Sequence, residues 1–180
     1  MIRSIAASIL CLLSLQARAS APSDSIVDSC LLFDKPVRST ISILPIDGAE
    51  VLQDDYEVPG YTVFRPGFKS NSLGVGYATS KHGNDDFVIV GRHRGYISRA
   101  IPRGQYKPQR IEPPERALYA VIREDAQQYV CLVESNGNGS AAFVRSAFVA
   151  RIPPDRNAGL TLYFKVADIK KLKTFTEGSR

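Results

Sequence analysis

Histidine is nearly missing from this chain: His82 and His93 are the only two in 180 residues. Neither has a partner at metal-ligand spacing such as His-x-Glu or His-x-x-x-His, so the sequence offers no zinc centre. Both lie among turn formers, which fits exposed loop positions better than a general base. Helical periodicity is also scarce, which argues against a helical bundle. Beyond the first nineteen residues no apolar run reaches membrane-spanning length, which argues against stable membrane insertion of the mature chain. The excess of positive charge is small. The formal net charge is +5 and falls to +3 without Arg3 and Arg18, too little to argue for nucleic acid.

What is present at the N-terminus reads as an export signal. Arg3 gives a positive start, residues 5–15 an apolar stretch too short to span a bilayer, and Ala17-Arg18-Ala19 a small-x-small cleavage site. Residues 1–19 are therefore expected to be a signal peptide, cut before Ser20, with a short amphipathic anchor as the alternative. A lipoprotein reading of Cys11 fails because Ser8-Ile9-Leu10 lacks the leading Leu and the small last residue. The expected location is periplasmic or secreted. The exported chain keeps Cys30 and Cys131, and an even pair in an oxidising compartment predicts one disulfide. Two buried free thiols are the alternative.

From Ser39 onward short strands follow one another. Ile41 and Ile43 alternate with Thr40 and Ser42, and Leu160, Leu162, Phe164 and Val166 alternate with Thr161, Tyr163 and Lys165. Residues 87–90, 118–122 and 129–133 read as buried strands. Asp47-Gly48, Pro59-Gly60, Pro66-Gly67, Asn136-Gly137 and Asn138-Gly139 punctuate them as turns. One short helix is expected over residues 167–175, with Asp168 early and Lys170, Lys171 and Lys173 late. The class is all-β, a barrel or sandwich.

Two stretches look alike. Residues 87–101, FVIVGRHRGYISRAI, have an aromatic-led strand, a glycine-bearing turn, Tyr96-Ile97 and the step Ser98-Arg99-Ala100-Ile101. Residues 129–134 and 139–149 offer YVCLVE and then GSAAFVRSAFV, with Phe143-Val144 and Arg145-Ser146-Ala147-Phe148 in the matching places. This resembles the bacterial SH3-like (SH3b) domain, in which a strand, a turn, a Gly-Trp-Val-like strand start, a 3₁₀ step and a short last strand close the fold. Gly95-Tyr96-Ile97 and Ala142-Phe143-Val144 stand where Gly-Trp-Val would; the chain has no tryptophan.

The resemblance implies two small SH3-like barrels packed together. The expected division is a segment over 20–45, unit 1 over 46–104, unit 2 over 105–153, and an extra strand and tail over 154–180. Unit 2 lacks an obvious first strand, and residues 26–33 or 160–166 are expected to fill its place. A Cys30–Cys131 bond would then pin the N-terminal segment against unit 2.

Catalytic motifs are hard to find. Cys30 could be a thiol nucleophile only with an imidazole nearby, and a structural disulfide needs fewer assumptions. Asp54-Asp55 and Asp85-Asp86 read as caps and solvated edges rather than an acid/base pair. The glycine-rich residues 137–140 lie between strands, as in a hairpin loop, and Asn138-Gly139-Ser140 is a formal glycosylation sequon. Positive charge does gather at Arg92-His93-Arg94, with Lys81, His82, Arg99 and Arg103, and Tyr61, Phe64, Tyr77, Tyr96 and Tyr106 are expected close by. The ordinary reading is a solvated, edge-blunting hairpin. The functional reading is a recognition face of Arg92, His93, Arg94, Tyr96, Arg99, Tyr61 and Tyr77, with no enzyme activity, cofactor or metal. Its expected partner is a peptidoglycan peptide or a secreted or envelope protein. An inhibitor or immunity protein of a cell-wall-acting enzyme is the alternative, and a cell-wall hydrolase a further one.

Overall fold

The computed structural model describes residues 21–46, 51–67, 71–135, 137, 139–153 and 158–174. The expected signal peptide lies outside the described residues.

Residues 26–33, weighed above as a strand, lie instead in and just after a helix, α1 (Asp24–Leu32). The reason is a helical stripe: Ile26, Val27, Cys30 and Leu31 recur one turn apart and are all fully buried. The Ser23 hydroxyl accepts from the Ile26 N–H at 3.3 Å and caps the start. At the far end Phe33 takes a left-handed φ of 66°, and the Arg145 guanidinium donates to the carbonyls of Leu31 and Leu32 at 2.9 and 3.0 Å.

Two sheets follow. The six-stranded sheet runs β1 (Ile41–Pro45), β8 (Leu118–Glu124), β9 (Gln127–Ser135), β10 (Val144–Arg151), β11 (Leu162–Asp168) and β7 (Ile101–Pro102). Only the β11–β7 pair is parallel. The five-stranded sheet is an antiparallel meander of β2 (Val51–Asp54), β3 (Tyr61–Pro66), β4 (Val75–Ser80), β5 (Phe87–Val90) and β6 (His93–Tyr96).

Strand alternation sorts the side chains into three layers. On β8, Ala120 and Ile122 face α1, with Cys131, Val133, Ala147 and Val149 from neighbouring strands. Tyr119 and Val121 face the other way, into a core with Leu132, Phe148, Leu162 and Phe164. That same core takes Val75, Tyr77, Val88 and Val90 from the five-stranded sheet. A helix therefore covers one face of the larger sheet, and the smaller sheet covers the other. The Cys30–Cys131 disulfide sits in the helix–sheet layer, with Cα atoms 5.7 Å apart, and ties α1 to β9.

Among the described residues the chain is thus all-β apart from α1 and short 3₁₀ turns, and the sheets are open, with β1 and β7, β2 and β6 as edges. The main core is shared between them rather than divided into two barrels. Ile46 donates to the Tyr119 carbonyl, so the register turns Pro45, which has no N–H, toward the free edge of β1. Of the two candidates to complete unit 2, it is β11 that pairs with β10. The helix expected over 167–175 is absent from its described part. Residues to 168 continue β11, and Ile169–Lys171 form one 3₁₀ turn, capped by Asp168 accepting from the Lys170 N–H.

The two stretches that look alike in sequence have unlike shapes. Tyr96 ends a strand and is followed by the 3₁₀ turn Ile97–Arg99. Phe143 ends a 3₁₀ turn, Gly139–Phe143, and is followed by a strand in which Arg145, Ser146, Ala147 and Phe148 are extended. β10 is held on both sides, by β9 and β11, which leaves no freedom for a turn there. A different pair does repeat: 3₁₀ turns at Ile97–Arg99 and Pro114–Arg116 each lead through Arg-Ala into a strand. Ala100 (φ −63°, ψ 140°) and Ala117 (φ −64°, ψ 140°) close them alike.

Gly95 explains itself in this packing. A Cβ there would lie 2.7 Å from Leu162 Cγ and 3.0 Å from the Leu160 carbonyl oxygen. Gly95→Ala is expected to destabilise by about 1–3 kcal/mol, because the sheets must separate. Urea unfolding checks this; an unchanged midpoint would show that the sheets can part freely.

Candidate functional site

The outer face of the five-stranded sheet carries a cluster of its own. Alternation turns Phe87 and Ile89 of β5 outward, together with Val63 of β3 and Ala78 of β4, beneath Val58. Tyr61 and Tyr96 pack against this patch and stay half-buried. The Tyr61 and Phe87 rings meet edge-on at 4.8 Å, and Phe87 and Tyr96 at 5.6 Å. Arg94 projects beside them, its guanidinium carbon 5.0 Å from the Phe87 centroid, and Arg99 lies 5.1 Å from that of Tyr96. Both arginines are exposed, and neither joins an ion pair among the described residues. Cations over aromatic faces beside solvent favour an acidic or carboxylate-bearing ligand.

Local structure holds these groups in place. The Asp85 carboxylate accepts from the Ser98 N–H at 3.1 Å and from its hydroxyl, fixing the 3₁₀ turn that carries Arg99. Glu57 takes a two-pronged contact from Arg65, which draws its carboxyl below the ordinary value. The loop before β3 is braced similarly. Asp54 Oδ1 accepts from the N–H groups of Tyr56 and Glu57 at 2.7 and 2.9 Å. Asp55 receives Thr62 and Lys81, hydrogen bonds that lower its pKa. On this loop Tyr56 stands 93 % exposed. Sequence reasoning missed it; the signal was an aromatic directly after two turn-forming aspartates.

Of the seven residues expected to share one recognition face, Tyr61, Arg94, Tyr96 and Arg99 do come together. Tyr77 does not. It is fully buried on the inner face, where its hydroxyl donates to Asp86 Oδ2 at 2.8 Å and accepts from the Ile111 N–H at 3.1 Å. Burial, and then the Asp86 charge, push its pKa far up. His93 also turns inward by strand parity, and its Nδ1–H donates to the Ala158 carbonyl at 2.7 Å. Arg92 lies in the turn between β5 and β6, toward the end of the sandwich.

Asp86 corrects the reading of Asp85-Asp86 as solvated. It is 4 % exposed and accepts from Tyr77, Thr79, the Ser80 N–H and Arg110. Arg103 is likewise engaged, with Asp24 and the Pro22 carbonyl. Among the described residues no helix is long and apolar enough to cross a membrane. No family model, curated protein or solved structure matches this chain.

Proposed function

We propose that this chain is an exported, non-catalytic binding protein that recognises a carboxylate-bearing ligand, with peptidoglycan stem peptides as the first choice. The observation that carries this reading is the Tyr61–Phe87–Tyr96 cluster flanked by the exposed Arg94 and Arg99 on an outer sheet face. Its aromatic groups give contact area at little entropic cost, and its guanidinium forks give carboxylate geometry. The Cys30–Cys131 disulfide supports an oxidising compartment outside the cytosol. The order of β5, a two-residue turn, Gly95-Tyr96, a 3₁₀ turn and the short β7 supports SH3-like kinship for this closing hairpin.

Co-sedimentation with purified sacculi at physiological salt tests the reading. Retention of the native protein is expected, and Arg94→Glu with Arg99→Glu should weaken it by about tenfold or more. No retention of the native protein removes the wall as ligand, and equal retention of the double variant removes this face.

A protein partner, as for an inhibitor of a wall-acting enzyme, is the second reading. Tyr56 favours it, since a fully presented tyrosine on a braced loop suits an interface anchor.

A further inference from the structure

At one end of the sandwich the sheets stand apart and leave a groove. It consists of two adjoining clefts, of about 180 and about 540 Å³, which share Ser72 and Leu73. The narrower is floored by Leu44, Ile46, Leu73 and Val121, with Arg123 and Gln128 beside them. The wider runs past Ile152, Val90 and His93 to Arg92. This end is distinct from the outer face, because strand parity sends Arg94 and Tyr96 the other way.

Three features make it more than an open seam. Leu44 leaves 43 % of its surface exposed, although it sits on a paired strand. Arg92 and Arg123 are exposed and have no ion-pair partner among the described residues, and no described carboxylate lines either cleft. The walls are also set in advance. The Asn71 amide donates to the Val75 carbonyl and accepts from the Val75 N–H, both at 2.7 Å. The bond from His93 to Ala158 fixes the imidazole.

We propose that this groove is a second binding site, which takes the C-terminal residue of an extended peptide with an aliphatic last side chain. Among the described residues the narrow cleft pairs an aliphatic floor with a single guanidinium, Arg123, and two side-chain amides, of which Asn71 is already engaged with Val75 and Gln128 faces a ligand. Only a terminal residue carries an aliphatic side chain and a carboxylate on the same Cα. Its side chain would lie against Leu44, Ile46, Leu73 and Val121 while its carboxylate met the Arg123 fork and the Gln128 amide. An internal aspartate or glutamate would bury its charge in that floor, at a desolvation cost. Residues preceding the terminus would follow the wider cleft toward Arg92.

Fluorescence anisotropy with the oxidised protein and dansyl-Gly-Ser-Val-Leu, as the free acid and as the C-terminal amide, tests this. Saturable binding of the acid is expected, with the amide about tenfold or more weaker. Arg123→Ala, at an exposed position that should not disturb folding, is expected to weaken the acid to a similar extent. Arg116→Ala, at an exposed arginine that lines neither the groove nor the outer face, is expected to leave it unchanged. The site is overturned by absence of saturable binding, by equal affinity for acid and amide, or by an Arg123→Ala variant that binds like the native protein. Loss of binding in the Arg116→Ala variant would also overturn it, by showing that the loss does not depend on the groove.

Discussion

Asp86→Ala is expected to destabilise the protein by about 3–5 kcal/mol, among the largest effects any single side chain here should have. Its carboxylate oxygens accept from the Tyr77 hydroxyl, Thr79 hydroxyl and Ser80 N–H at 2.8, 3.0 and 2.9 Å. All three donors lose their partner in the variant, and a buried donor left unpaired costs about 1–3 kcal/mol. Arg110, which reaches Asp86 at 3.2 Å, is half-exposed and can turn to water, so it adds little. The Tyr77 hydroxyl also receives the Ile111 N–H, so the same network fastens residues 110–111 to the five-stranded sheet.

Asp86→Asn separates the need for acceptors from the need for volume. An amide keeps the shape but aims N–H groups at donors, so it should cost nearly as much as alanine. Tyr77→Phe should cost less, about 1–3 kcal/mol, since it strands the Ile111 N–H but leaves Asp86 its other donors. Urea unfolding measures all three. A loss below 1 kcal/mol for Asp86→Ala would mean that the network is not the fastening described.

The second large effect belongs to the disulfide. Cys30→Ser with Cys131→Ser, or reduction, is expected to lower stability by about 4–5 kcal/mol. The bond joins residues 101 apart in sequence, so it restrains an unfolded loop that is otherwise very free. Both cysteines are fully buried between α1 and the larger sheet, so the serine variant also places two hydroxyls where no water reaches. Cys30→Ala with Cys131→Val controls for that and should recover part of the loss. For a domain of this size the expected fall in melting temperature is roughly 10–15 °C. Identical melting of oxidised and reduced protein would contradict it.

Much of the strand content is legible in the sequence because alternation is local. The stretches Phe87–Val90, Gln127–Ser135 and Leu162–Asp168 carry their patterns in full view. α1 is harder to see. Ile26, Val27, Cys30 and Leu31 fit a helical stripe, yet a short apolar run is also what a buried strand looks like. The resemblance between the Tyr96 and Phe143 regions misleads for a related reason. Similar residues sit in a closing turn in one place, and between two paired strands in the other.

The proposed recognition face is legible in part. Arg94, Tyr96 and Arg99 stand close in sequence, and Tyr61 joins them through the register of β3, β4 and β5. Tyr77 has the same composition signal as Tyr61 but faces inward. Nothing in either residue's immediate neighbours separates them.

Residue order alone indicated much of the strand content and favoured the pairing of the last two cysteines, since each follows from local pattern or simple counting. Only the tertiary structure decided which face of each strand is covered, and so which tyrosine is core and which is surface. It also decided which aspartate of an adjacent pair is buried and where the sheets part into a groove. The physical reason is that alternation defines two faces per strand, and it takes a distant partner layer to remove one of them from water.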